Sequence, residues 1–339
     1  LSYKFYDVSD EDMRLMDCKA EMNLEYSAAP VVEYPFSFYY GPNHYKTLKS
    51  YDYGFEKIVP LGGWLIGWIN RVIIINFFDY LSRFISNFGI IILLMTIAIK
   101  LLISPLTLKS YVSSAKMRVL KPEIDKINEK YPKQEDAMKK QQEIMALYKK
   151  TGVSMFGGCL PMLLQFPILF AMFRFFPASF ELRQQGFLWA DDLSTYDAIF
   201  ELPFHIPLYG DHVSLFAILM AVSMYFYSKM NMDQMPSGNE MAGMRTMQLY
   251  FMPIFLLVLC NNFSSGLSYY YMLSNLFTIA QTWVIRKYFV DEKKLYAQLQ
   301  AKAANAKAPK KSKFQQRLDE MYKQQQELQR QQQQMRNRK

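Results

Sequence analysis

A single lysine, Lys100, lies inside the apolar run IILLMTIAIKLLISPL, which extends from Ile91 to Leu106. A charge at membrane depth costs at least ~2.5 kcal/mol on the most lenient insertion scales, so a cation kept there argues for a site. Its chemistry would be attraction of an anionic group. Thr96 stands one helical turn earlier, on the face that carries the ammonium. The plain alternative is snorkelling. From Lys100 to Lys109 a helix rises roughly 13 Å at about 1.5 Å per residue, further than a lysine stem reaches unaided. A second polar set, Tyr271, Ser274, Asn275, Thr278, Gln281 and Thr282, recurs at steps of three and four along an otherwise apolar segment. Interhelical hydrogen bonding alone would account for such a stripe. Two stripes, one of them charged, point instead to a shared hydrophilic groove, with Gln165, between Pro161 and Pro167, as a third wall.

Covalent chemistry finds no support in these residues. Ser265 in the triplet SSG is a nucleophile type, but no histidine and no pair of acids falls within an apolar segment. HExxH, a phosphate-cradling glycine loop and Cys/His metal spacing are all missing from the sequence. Cys18, Cys159 and Cys260 build no disulfide framework, since two of them fall inside apolar segments. The reading therefore assigns no catalytic residue, no metal and no cofactor. Two function classes stay open: a small-solute transporter or channel, and a protein that helps polypeptides into the bilayer.

The groove residues need membrane helices to position them. The chain is 20% charged and 51% hydrophobic, an average in which apolar segments and charged loops cancel. Taken by segment, the expected fold is an all-α polytopic membrane protein with five transmembrane helices around a hydrophilic groove. The spans fall at about 89–108, 155–176, 212–229, 245–262 and 266–286. The third and fourth are short, and a re-entrant loop is the alternative for each. Residues 109–150 hold eleven Lys and Arg and the stretch after Ile285 holds fifteen, whereas 181–212 has one Arg against six acids. Positive loops stay inside. That places residues 1–87, 177–212 and the turn 264–266 outside, and the C-terminus in the cytoplasm.

The flanking segments complete the expected domains. Residues 1–60, with the aromatic cluster VVEYPFSFYYGPNHYKTL, read as the last strands of an extracytoplasmic β domain. The chain opens at Leu1 with no initiating Met or signal-like segment, which reads as a fragment. Within 61–88 the apolar residues at 73, 74, 77, 78, 81, 84, 85 and 88 form one face of an interfacial amphipathic helix. Residues 109–151 read as a helical hairpin, broken at Tyr131-Pro132, with apolar positions so sparse that it should pack weakly and move. Residues 291–339 are a basic, Gln-rich tail.

The order KLLISPLT, SYVSSAKMRVLKPEIDKI, ALYKKTGVSMFGGCLPMLLQFPILFAM, ELRQQGFLWADDLS, FMPIF and SSGLSYYYMLSNLFTIAQ resembles the YidC membrane protein insertase family, in its bacterial branch with a large periplasmic domain. The resemblance covers about residues 35–290. It implies an inner-membrane insertase whose first span and most of whose periplasmic β-sandwich lie outside this chain. It also implies a groove open to cytoplasm and lipid but closed outward. The family's groove cation is usually arginine; the matching Lys100 keeps the charge and loses the planar five-donor fork. Thr96, Lys100 and Tyr271 match groove residues, and Phe166, Pro167 and Leu169 match a hydrophobic substrate slide. Implied partners are nascent membrane proteins, the bilayer and a Sec translocon. The basic tail suits ribosomal RNA or, equally in charge, anionic lipid. No DNA partner is implied.

Overall fold

A computed structural model describes residues 2–5, 16–24, 31–132, 136–153, 160–232 and 242–304. Cys159, the start of the expected second span and residues 305–339 of the tail lie outside the described residues. The chain divides into two compact units, Leu1–Pro42 and Asn43–Lys339. In the first, β1 (Ser2–Phe5) pairs antiparallel with β2 (Met16–Lys19), with Ser2 opposite Lys19. Residues 31–42 form no strand, which corrects the reading of the aromatic cluster as terminal strands. Pro35 and Pro42 remove ladder donors there. Most of these side chains are exposed, so aromatic composition had no packed face to join.

The second unit is helical. After the short α1 (Tyr45–Ser50), α2 (Trp64–Ile69), a π-turn at Asn70–Ile74 and α3 (Ile75–Ser82) form one unbroken rod. The rod buries Ile74, Ile75 and Phe78 and exposes Trp64, Trp68 and Tyr80. Helical backbone stops at Ser82, not at 88, and Asn87 accepts from the Ile90 N–H (3.1 Å) to cap the next helix. That helix, α4, runs from Phe88 to Val119 and is the one helix among the described residues long and apolar enough by itself to cross a membrane. It contains Pro105 and overruns the expected end at 108, because residues 109–120 hold no Pro or Gly before Lys121-Pro122 opens α5 (Lys121–Lys130). α6 (Ala137–Thr151) ends where Gly152 turns left-handed, φ 67°.

Next come α7 (Leu160–Ala178), a β-hairpin of β3 (Phe200–Ile206) and β4 (Gly210–Val213), and α8 (Leu215–Met232). The hairpin is an addition to the helices expected from sequence. α9 (Ala242–Thr246), a π-turn at Met247–Phe251 and α10 (Met252–Cys260) follow in one line, then α11 (Ser265–Tyr288) and α12 (Glu292–Ala304). α11 packs along α8, α4 and α7. α4, α8 and α11 start at the bundle end that carries residues 179–214, where α7 and α10 finish.

At the opposite end the hairpin is better packed than its sparse apolar residues suggest. Leu120, Ile124, Tyr148 and Val153 form a buried cluster with Leu299 of α12, whose exposure is 2%. Arg118 pairs with Glu292 at 3.0 Å, and the Tyr296 hydroxyl donates to Glu123 at 3.4 Å. The first part of the supposed plain tail is therefore the third helix of this cluster. Leu299 is its buried anchor, with Leu295 and Tyr296 half-buried, and a fully buried leucine side chain contributes about 1.5–3 kcal/mol.

Candidate functional site

Three of the expected groove residues meet at one point. The Lys100 Nζ on α4 donates to Gln165 Oε1 on α7 (3.1 Å) and to Thr278 Oγ1 on α11 (2.9 Å). The ammonium thus turns into the bundle and does not run along its own helix toward Lys109. Thr278 passes its own proton to the Ser274 carbonyl at 2.7 Å, which leaves its lone pairs facing the lysine. Both partners are neutral dipoles, and among the described residues no carboxylate pairs with Lys100. The charge is solvated here without being cancelled, so it remains available to an incoming anion.

The other stripe residues take different parts. Thr96 is fully buried, and its hydroxyl bonds to the Ile92 carbonyl of its own helix (2.7 Å), so it shapes the wall and offers no free donor. Asn275 donates to Ser223 on α8 (3.1 Å), and Ser223 donates to Met220 O (2.7 Å). This bond ties α11 to α8, the helix glue that was the simpler explanation of the stripe. Tyr271 and Gln281 are half-buried on the same helix, about two turns before and one turn after Thr278. Phe166 is 40% exposed and stacks on Phe170 at 6.3 Å, while Pro167 and Leu169 are half-buried beside them on α7. Phe251, at the end of the π-turn, and Phe255 of α10 make a second exposed stack, with centroids 5.8 Å apart.

Above the lysine the bundle is closed by aromatic packing and then by a polar knot. Tyr269 sits against Phe187 (5.1 Å) and Phe216 (5.2 Å), Trp189 lies over Phe216 (4.4 Å), and Tyr270 meets Phe176 (6.0 Å). Beyond them the segment 189–214 folds across the 261–266 turn. Ser264 Oγ donates to Leu193 O (2.6 Å), Ser265 Oγ to Asp192 O (2.9 Å), and Asn261 Nδ2 to the carbonyls of Tyr209 and His212 (both 2.9 Å). A Cβ at Gly266 would stand 2.9 Å from the Leu193 carbonyl oxygen, so glycine is what lets the turn close.

Asp197 organises the knot and was missed in the sequence. Its carboxylate is 2% exposed and accepts from Trp189 Nε1 (2.8 Å) and the backbone N–H groups of Leu215 (2.9 Å) and Phe216 (3.0 Å), while the Ser214 hydroxyl donates to its other oxygen. A carboxylate at the start of α8 meets the unpaired N–H groups and positive end of that helix. Its spacing to Ser214, seventeen residues, follows no local capping rule.

The sequence is similar to known proteins. The family described as 60Kd inner membrane protein matches residues 80–294. A Membrane protein insertase YidC from Bacteroides fragilis is 52% identical over 322 residues, which cover 93% of this chain and 52% of that protein. Its namesake from Parabacteroides distasonis is 50% identical over 311 residues, 88% of this chain and 48% of that protein. The chain spans about half the length of the curated relatives it matches. Among solved structures, "Active YidC insertase crystal structure with the first transmembrane domain resolved" aligns with a TM-score of 0.46 and 22% identity, over 74% of this chain and 54% of that one.

Proposed function

This chain belongs to the 60Kd inner membrane protein family, and from that premise we propose that it is a membrane protein insertase built around Lys100. The observation that carries the reading is the uncancelled ammonium held between Gln165 and Thr278 in the interior of three apolar helices. All five apolar segments are taken as spans, with the hairpin and α12 in the cytoplasm and the Asp197 knot on the periplasmic side. A nascent segment enters from the cytoplasm, and Lys100 attracts acids in its short translocated part. Polar groups along the groove lower the desolvation cost of carrying backbone partway across. The apolar part then leaves sideways along the aromatic stacks of α7 and α10, driven by partitioning into lipid and by the membrane potential. No bond is made or broken, so no catalytic residue or cofactor is required.

Nascent membrane proteins and lipid are the proposed partners, with a Sec translocon beside them. The cations beyond Ala304 suit ribosomal RNA, and ribosome co-sedimentation with and without residues 305–339 decides between RNA and anionic lipid.

An insertase groove must be wet from one side only, because a continuous aqueous path would leak ions. A single cysteine at half-buried Thr278, in a background lacking Cys18, Cys159 and Cys260, should react with impermeant maleimide from the cytoplasmic side, whereas cysteines at buried Thr96 and Asn275 should stay protected. Comparable labelling from the periplasmic side would favour a transporter.

A further inference from the structure

His44, Asp79 and Glu181 converge in a cleft although 35 and 102 residues separate them in sequence. One ligand-type atom from each lies within 4.8 Å of the other two. His44 opens α1, Asp79 belongs to α3, and Glu181 follows the end of α7. Each is only partly exposed, and Val59, Leu61, Ile75, Phe78 and Phe175 form an apolar floor.

Each of the three groups also has a partner outside the trio. Thr47 Oγ1 bonds to His44 Nδ1 (2.7 Å), Ser179 Oγ donates to Glu181 Oε2 (2.8 Å), and Lys46 Nζ pairs with Asp79 Oδ2 (2.5 Å). That leaves His44 Nε2 and Glu181 Oε1 facing each other, with the Asp79 carboxylate beside them. Metal ligands are oriented in this way, a histidine through its other ring nitrogen and a carboxylate through its other oxygen. His44 Nε2 and Glu181 Oε1 stand 3.1 Å apart. That is close to the edge of about 3.3 Å between two ligands of one tetrahedral zinc with bonds near 2.0 Å. Two carboxylates face one ammonium, so the group carries an excess negative charge that a cation would offset.

We propose that His44, Asp79 and Glu181 form a divalent-cation site of the zinc class, completed by water, that fastens α1 and α3 to the end of α7. The site is structural, since it lies apart from Lys100. Imidazole together with two carboxylates favours Zn²⁺ over Mg²⁺ or Ca²⁺, which prefer oxygen ligands alone.

The test uses the full-length protein, purified in detergent and stripped with chelator, with Zn²⁺ and Co²⁺ as probes. One equivalent of Zn²⁺ should bind saturably and raise Tm, and Co²⁺ should give intense tetrahedral d–d bands. His44→Gln and Glu181→Gln should each weaken Zn²⁺ at least about tenfold, and Thr47→Val, which removes only the outer partner of the imidazole, about tenfold. His205→Ala, on the exposed β3, should change nothing. A cluster of ordinary ion pairs gives no d–d bands in the unaltered protein and no zinc-dependent rise in Tm. Either of those results overturns the proposal however the variants fold, as does undiminished binding in His44→Gln.

Discussion

Lys100→Glu should abolish insertion of substrates with acidic translocated segments, Lys100→Ala should weaken it, and Lys100→Arg should retain it. The glutamate removes attraction and adds repulsion. It also sets a carboxylate against Gln165 Oε1 and the Thr278 oxygen, so that Gln165 must turn its amide to present Nε2 and Thr278 can donate only at the cost of its bond to Ser274. Two unit charges about 4 Å apart interact by about 4 kcal/mol at an effective dielectric near 20, and a reversal of one of them changes that interaction by about twice as much, far more than a hundredfold in an equilibrium. Alanine loses the attraction alone and leaves two neutral dipoles that can bond to water. Arginine keeps the charge and gains a fork that can grip a carboxylate bidentately. The check is complementation of a depleted strain, read by the membrane insertion of a single-spanning substrate. Equal rescue by Lys100→Glu and the unaltered protein would remove electrostatics from the mechanism.

The second large effect concerns stability. Asp197→Ala strands four donors that now share one carboxylate: the Trp189 indole, the Ser214 hydroxyl and two N–H groups of α8. An unmet buried donor costs about 1–3 kcal/mol, and water can reach some of them once the side chain is gone, so a loss of about 3–5 kcal/mol is expected. Asp197→Asn keeps one acceptor oxygen and should lose roughly half as much. Denaturation of the detergent-solubilised protein measures this, with circular dichroism as the readout. A loss under about 1 kcal/mol for the alanine variant would mean that the knot does not depend on its carboxylate.

Lys100, Thr278 and the rest of the stripe on α11 were legible in the sequence because a helix repeats its face every three or four residues. That Gln165 reaches the same ammonium was only a conjecture, since periodicity carries no information on which faces meet. The same limit hid Asp197 and the cluster of His44, Asp79 and Glu181, whose members are brought together by tertiary packing. α12 looks like plain tail in sequence because its apolar residues are outnumbered by charge and Gln, yet a single buried leucine, Leu299, anchors it once Leu120 and Tyr148 supply the other side. In residues 31–42 the error ran the other way: aromatic composition suggested strands where Pro35 and Pro42 deny the ladder. The alternation of Phe200, Leu202, Phe204 and Ile206 did signal β3, but Pro203 and the acidic surroundings obscured it.

The proposed role is to move polypeptide segments into the bilayer. The most direct measurement is a pulse-chase of a single-spanning membrane protein after depletion of this protein, with protease protection as the readout of insertion. An insertase requires a prompt loss of the protected fragment, before growth or membrane potential declines, and its restoration by the unaltered gene. Normal insertion at that stage, with a defect only after the potential has fallen, would contradict it and is the outcome expected of a solute carrier.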